Sequence, residues 1–256
     1  MITSTQSAVT FTDVTFQYEQ EQEAIPILNK LNLDIFRGEF VSIVGASGSG
    51  KSTIFRLITG LEQANDGVIF INKKVKTNRL GQTGYMPQQD LLLPWRTIRQ
   101  NAALALEVKN LKEPQLIDNL LQDFGLAGYE DKFPHELSGG MRQRVSFLRA
   151  TLSGSNILLL DEPFSALDAM TKLFMQEWLL EKWAEQQSTI LFITHDISEA
   201  LFLSDRILVV SETPITKMEE FIVPLVRPRK QQDLNQQAVL ALKNELIERF
   251  RMRQDQ

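Results

Sequence analysis

The stretch Gly45-Ala46-Ser47-Gly48-Ser49-Gly50-Lys51-Ser52 constrains this chain more than any other. Its G-x-x-x-x-G-K-[ST] spacing lets the backbone curl until successive N–H groups point at phosphate oxygens. Such a loop works between a strand and a helix, because the helix N-terminus adds its dipole and free donors to the anion site. The flanks supply both. Phe40-Val41-Ser42-Ile43-Val44 reads as a short buried strand, and Thr53-Ile54-Phe55-Arg56-Leu57-Ile58 as a helix start. The expected ligand is a nucleoside triphosphate with Mg²⁺. Gly45, Ala46, Ser47, Gly48, Ser49, Gly50 and Thr53 line its phosphates. Lys51 places a charge on the β- and γ-phosphates, and the Ser52 hydroxyl ligates the metal.

Around this unit the apolar pattern sets the fold class. Alternation with period two over 9–18 and 27–35 predicts half-exposed strands, and Asp66-Gly67 turns the chain into another strand over 68–72. Residues 97–152 change character, with helical periodicity over 97–108, 113–124 and 139–152. Beyond them, apolar runs at 157–160, 189–193 and 206–210 alternate with helical stretches over about 169–186 and 198–203. Continuous apolar strands between helices imply a parallel sheet buried on both faces. The expected fold is α/β: a P-loop NTPase core with a mainly parallel sheet, an N-terminal antiparallel β subdomain and a helical insertion. The main domain is expected over residues 1–212, with the helical subdomain inserted at about 90–152. Residues 213–256 form a C-terminal extension ending in a helix from about 234 to 251. Arg227, Arg229 and Lys230 in that extension read as a solvated basic turn, with contact to anionic lipid or a partner as the alternative.

Composition removes other chemistries. An apolar content of 43% over 256 residues suits one sizeable core. The net charge of −5 lacks a nucleic-acid footprint. With no cysteine and only His135 and His195, disulfides, thiolate zinc sites and polyhistidine centres are not expected. Residues 1–13 show no leader pattern, and no apolar run approaches the ~18 residues of a spanning helix. A cytoplasmic chain that meets a membrane through a partner is expected.

Two further stretches carry chemistry. Ile157-Leu158-Leu159-Leu160-Asp161-Glu162 is an apolar strand ending in carboxylates, and strand ends in a parallel sheet open onto the ligand crevice. Asp161 there suits Mg²⁺, and Glu162 suits a water to be oriented or deprotonated; read alone, both are equally solvated acids at a strand end. Leu137-Ser138-Gly139-Gly140-Met141-Arg142-Gln143-Arg144 opens a helix with a serine and two glycines. That is a second anion site or an ordinary N-cap.

Together these residues resemble the ATP-binding-cassette (ABC) ATPases over roughly residues 9–212. Leu137 to Arg144 matches the family's signature motif. Tyr18 sits where an adenine-stacking aromatic is found, though it is also a plausible surface aromatic of a strand. Gln88, in Tyr85-Met86-Pro87-Gln88-Gln89, matches the Q-loop glutamine, whose amide serves Mg²⁺ and water alike. Ser165-Ala166-Leu167-Asp168 matches the D-loop, and Thr194-His195-Asp196 the switch histidine. The resemblance implies that Glu162, His195, Lys51 and Gln88 do the catalytic work, with Ser52, Gln88 and Asp161 on Mg²⁺. It also implies that Ser138, Gly139, Gly140 and Asp168 complete an ATP site shared head-to-tail with a second copy.

A lone cassette of this kind looks like the detached ATPase subunit of a bacterial importer. Its implied partners are transmembrane permease subunits and, indirectly, an extracytoplasmic solute-binding protein, with no nucleic acid. Its implied place is peripheral, on the inner face of the cell membrane. Leu91-Leu92-Leu93-Pro94-Trp95 after the Q-loop, with Val223-Pro224-Leu225 and Arg227-Pro228-Arg229, is similar to the nitrate/sulfonate/taurine subgroup, which also serves thiamine-precursor pyrimidines. The Leu/Trp cluster reads as a docking surface for a permease helix or as subdomain core. The alternatives are an ABC-type switch acting on nucleic acid or ribosomes, and a P-loop small-molecule kinase, against which Ser138-Gly139-Gly140 argues.

Overall fold

The computed structural model describes residues 6–20, 23–75 and 77–254. In chain order the strands and helices are β1 (Ser7–Gln20), β2 (Glu23–Phe36), β3 (Phe40–Val44), α1 (Lys51–Thr59), β4 (Asp66–Ile71), β5 (Lys74–Val75) and β6 (Gly84–Met86). Next come α2 (Ile98–Val108), α3 (Pro114–Asp123), α4 (Gly139–Thr151), β7 (Ile157–Asp161) and α5 (Ala169–Gln186). The chain ends with β8 (Thr189–Ile193), α6 (Ile197–Leu203), β9 (Arg206–Val210), β10 (Met218–Ile222) and α7 (Gln237–Gln254). They fall into two compact units, Met1–Gln82 with Gln187–Gln256, and Thr83–Gln186.

In the first unit the alternating strands pair as their pattern dictates. β1 is antiparallel to both β2 and β4, so Val9 lies beside Ile35 on one strand and Ile71 on the other, and all three are buried. The continuous apolar strands behave differently. β3 is flanked by β8 and β9, both parallel, with Ile43 opposite Ile193 and Leu208. Every residue of β3, β8 and β9 is buried, as covering on both faces requires. Strand β10 adds antiparallel to β9 and is not legible in the sequence, because Glu219 and Glu220 interrupt its apolar pattern. Glu220 is accommodated by Arg206, whose guanidinium lies 3.0 Å away.

The C-terminal residues correct two expectations. A short 3₁₀ turn occupies Gln231–Asn235, and Gln236 then takes an extended conformation, so α7 starts at Gln237 rather than at about 234. Val239 and Leu246 of α7 share a buried cluster with Ala200, Leu201 and Val209. Nor are the arginines a solvated turn. The Arg229 side chain is only 1% exposed. It donates to the carbonyls of Phe202 at 3.1 Å, Ser204 at 2.7 Å and Leu225 at 3.1 Å. Arg227 donates to Asp205 at 2.8 Å and to the Leu203 carbonyl at 2.7 Å. The carbonyls of Phe202, Leu203 and Ser204 belong to the end of α6, where a helix leaves acceptors without partners and its dipole favours a cation. Burial, helped by the neighbouring Arg227 and opposed by Asp205, pushes the Arg229 pKa down to about 10.

The second unit pairs β6 with β7 in parallel, Met86 opposite Leu160. Gly84 lets α4 lie close against β6: a Cβ there would lie 2.6 Å from the Ala150 carbonyl oxygen of α4. The helices stop and start on sequence-encoded caps. Thr97 and Gln100 form a reciprocal capping box on α2, and Pro114 opens α3. Phe124, Phe147, Phe164 and Trp178 pack ring against ring between α4 and α5, with Phe124 and Trp178 centroids 4.7 Å apart. This unit is wider than the helical stretch of about 90–152, since it includes β6, β7 and α5.

Candidate nucleotide site

In the first unit the buried strand β3 delivers the chain into the glycine-rich loop. Gly48 and Gly50 hold φ values of 77° and 90°, which other residues adopt at a cost. Gly50 is doubly constrained, because a Cβ would lie 2.6 Å from Ile27 Cγ2. Lys51 is 7% exposed and folds its ammonium back over the loop, donating to the carbonyls of Ala46 at 2.6 Å and Gly45 at 3.0 Å. Ser49 Oγ lies 3.4 Å from the same nitrogen. Gly50 caps α1 without a side-chain acceptor for the donors of the first turn. Loop amides, helix N-terminus and ammonium thus converge, a donor set that fits a polyphosphate. Ser52 and Thr53 follow on that first turn; Thr53 Oγ1 is 3.5 Å from the Tyr18 hydroxyl. The Tyr18 ring, half-buried on β1, is held edge-on by Phe16 at 4.8 Å.

His195 leaves β8 at the same carboxyl edge from which the loop leaves β3; the Thr194 N–H donates to the Ile43 carbonyl at 3.4 Å. The residues around it are more tightly organised than the motif suggested. Thr194 Oγ1 donates to buried Glu199 at 2.6 Å and accepts from the Asp196 N–H at 3.0 Å. Asp196 caps α6 through Ser198 and Glu199 N–H groups, and Lys243 of α7 donates to Ser198 Oγ at 3.0 Å. Sequence reasoning missed Glu199, although Asp196-Ile197-Ser198-Glu199 places an acidic cap three residues before a glutamate, a helix-start spacing.

In the second unit Asp161 ends β7 and is 2% exposed. Glu162 follows it with φ of 50°, an uncommon conformation for a side chain of its size. Gln88 leaves the adjacent β6 at the same edge, and its Nε2 donates to Glu162 Oε2 at 3.3 Å. Ser138 caps α4, accepting from Met141 N at 3.3 Å, while Ser138 and Gly139 are exposed. At Gly140 a Cβ would stand 3.0 Å from the Ala166 oxygen, so the glycine lets α4 lie against the loop after β7. Asp168 Oδ1 accepts from Met170 N at 3.1 Å and Thr171 N at 3.0 Å, capping α5. The Thr171 hydroxyl and backbone bonds hold its carboxyl below the usual range. The Leu/Trp cluster splits. Leu92 is buried, whereas Leu91 and Trp95 are 57% and 71% exposed. His135 is exposed and stacked on Phe133.

Among the described residues no group of three or more His, Asp and Glu side chains is placed to hold a metal ion. Mg²⁺ in phosphate sites needs no such cage, taking one or two carboxylates with substrate oxygens and water, and the hard oxygens of Ser52, Asp161 and Gln88 fit that habit. Nor, among the described residues, is any helix long and apolar enough to cross a membrane.

Comparison with known proteins bears on the same residues. The family model for ABC transporters matches residues 28–165, from within β2 to Ser165 in the turn after β7. The formylaminopyrimidine import ATP-binding protein ThiZ of Halalkalibacterium halodurans is 47% identical over 219 residues, covering 84% of each chain. The aliphatic sulfonates import ATP-binding protein SsuB of Bacillus cereus is 35% identical over 244 residues, 94% of this chain and 95% of its own. The dimeric post-hydrolysis state of the ATP-binding cassette MJ0796, bound to ADP and Pi, superposes with a TM-score of 0.78 at 30% identity, covering 85% of this chain and 100% of that one. A phosphate loop of this geometry, inside a match that runs through the signature helix and both carboxylates, leaves one conclusion: the chain belongs to the ABC transporter family and is one of its ATP-hydrolysing cassettes.

Proposed function

We propose that the chain is the ATPase subunit of an importer, that two copies enclose ATP head-to-tail, and that a separate permease is driven by their closing and opening. The observation that carries the importer reading is the 47% identity to an import ATP-binding protein over 84% of both chains. Its printed solute, a formylaminopyrimidine, makes a pyrimidine of that class the first solute to try, ahead of aliphatic sulfonates, whose protein shares 35% identity. The same relatives favour this reading over a nucleic-acid or ribosomal switch.

In this reading Lys51 and the amides of residues 45–53 grip the β- and γ-phosphates, and Tyr18 stacks on the base. Ser52, Asp161 and Gln88 give oxygen ligands to Mg²⁺, which when bound neutralises the phosphate charge. Glu162 accepts a proton from the attacking water, and Gln88 and His195 keep that water and the γ-phosphate in line. Ser138, Gly139 and Gly140 of the second copy cover the γ-phosphate from the other side, next to Asp168. Loss of the γ-phosphate removes the group both copies hold, so the pair opens, and exposed Leu91 and Trp95 offer the permease an apolar foothold. The chain then works at the inner face of the membrane, indirectly fed by a solute-binding protein.

The test is Glu162→Gln in the purified full chain. ATP affinity stays, turnover falls by about 100-fold or more as expected for a lost general base, and a nucleotide-bound dimer accumulates on gel filtration. Wild-type hydrolysis in that variant refutes the base. Reconstitution with candidate permease subunits, comparing uptake of formylaminopyrimidine and alkanesulfonate, decides the solute.

A further inference from the structure

We propose that Gln143 is a positioning residue that holds Glu162 in its working conformation and joins it to the helix carrying Ser138, Gly139 and Gly140. The inference deepens the reading in which Glu162 is the base, and rests on it.

Gln143 lies in the second turn of α4 and is 6% exposed. Its amide is spent on the loop after β7. Nε2 donates to the Glu162 carbonyl at 3.0 Å and to Ser165 Oγ at 3.1 Å, while Oε1 accepts from the Ala166 N–H at 3.0 Å. Ser165 Oγ in turn donates to the same Glu162 carbonyl at 3.1 Å. One buried side chain therefore fixes both ends of the turn from Glu162 to Ala166. That turn needs fixing, because Glu162 sits at φ of 50°, and strained backbone persists only where its surroundings over-determine it. One helical turn earlier, Gly140 lets the α4 backbone come within reach of the Ala166 carbonyl. A shift of α4 is thus passed to the backbone of Glu162 by hydrogen bonds rather than by loose packing. In a head-to-tail pair the N-terminus of α4 meets one nucleotide and Glu162 serves the other, so Gln143 links the two sites.

The test uses the purified full chain. Gln143→Met keeps the length and apolar bulk but removes all three of its bonds, and Ser165→Ala removes the two bonds of the Ser165 hydroxyl at an exposed position that does not threaten folding while leaving Gln143 bonded to the Glu162 carbonyl and the Ala166 N–H. Misplacement of a catalytic group by about 1 Å costs on the order of 100-fold, so Gln143→Met is expected to lower kcat about that much, with KM and ATP affinity unchanged. Ser165→Ala lowers kcat by a smaller factor in the same direction. Placed on Glu162→Gln, Gln143→Met lowers the residual single-turnover rate less than threefold, because the base it positions is already gone. The proposal is overturned by a Gln143→Met chain with kcat within threefold of wild type, or by an equal loss of ATP affinity. A full independent loss in the Glu162→Gln background overturns it too. Failure of the underlying reading looks different: Glu162→Gln alone then hydrolyses at the wild-type rate.

Discussion

Gly50→Ala isolates what the loop geometry contributes to nucleotide binding. Two costs can be separated. The residue sits at φ of 90°, where an L side chain loses about 1–2 kcal/mol to its own backbone. The new Cβ also lies 2.6 Å from Ile27 Cγ2, about 1 Å inside a comfortable carbon–carbon contact. Ile27 has little room to retreat. It is 8% exposed on β2, and its carbonyl accepts from the Ile215 N–H at 2.8 Å. Overpacking of this kind costs about 1–3 kcal/mol. The sum, about 2–5 kcal/mol, is drawn from the loop rather than from the sheet, so it shows as lost ATP affinity of roughly 30-fold to several thousand-fold. Ile27→Ala removes Cγ2 and with it the second cost only. The double variant therefore regains the packing share of the affinity and keeps the backbone share. Titration calorimetry with ATP on wild type, both single variants and the double variant reads each term, with urea unfolding as the check on the fold. Gly50→Ala binding within threefold of wild type refutes the reasoning outright. Full recovery in the double variant refutes the backbone term.

Two stability predictions rest on buried charge in the same unit. Arg229→Leu takes the guanidinium donor from the Phe202, Ser204 and Leu225 carbonyls and should destabilise by about 3–5 kcal/mol, read from urea midpoints, and Arg229→Lys should not restore it, since a single ammonium cannot reach the spread of acceptors a guanidinium fork serves. Glu39 is 1% exposed beside Arg206, and burial raises its pKa above the usual 4.5, against the pull of that guanidinium. In the window above 4.5 the folded chain holds a proton that the unfolded chain has released, so stability falls as pH rises through it. Urea midpoints followed upward from pH 4.5 should show that slope in wild type and lose it in Glu39→Gln.

Much of this was written in the residues themselves. Strands β3, β7, β8 and β9 are continuous apolar runs, and such runs have one stable home, a sheet covered on both faces. Helices α2 and α4 begin where Thr97 and Ser138 say they should, because a cap is a local contract between a side chain and the next turn. What stayed hidden depends on distant partners. Arg227 and Arg229 read as a solvated patch because nothing nearby in sequence announces the α6 carbonyls they satisfy, more than twenty residues upstream. Strand β10 was lost for the same reason, its Glu220 being neutralised by Arg206 of the adjacent strand. The glycine-rich loop was legible as a motif, yet the crowding of Gly50 by Ile27 was not, since Ile27 lies on β2, across a tight turn and the whole of β3.

The same division between local and distant causes bears on how Glu162 is used. Positive φ at Asn72 or Asn110 is an ordinary turn, because asparagine tolerates that region. Glu162 has no such excuse, and its neighbours Asp161 and Phe164 are buried, so the turn cannot relax into solvent. The strain is held by Gln143 and Ser165 on the carbonyl side and met by Gln88 on the carboxylate. Those three residues come from a helix, the turn itself and the loop after β6. Arg149 of the same helix donates to the Asp90 and Leu91 carbonyls at 2.7 and 2.8 Å, and Arg142 pairs with Asp90 at 2.9 Å. Helix α4 therefore grips the segment just beyond Gln88 as firmly as it grips Glu162. In the proposed reading, a displacement of the segment that carries exposed Leu91 would therefore reach Glu162 through α4.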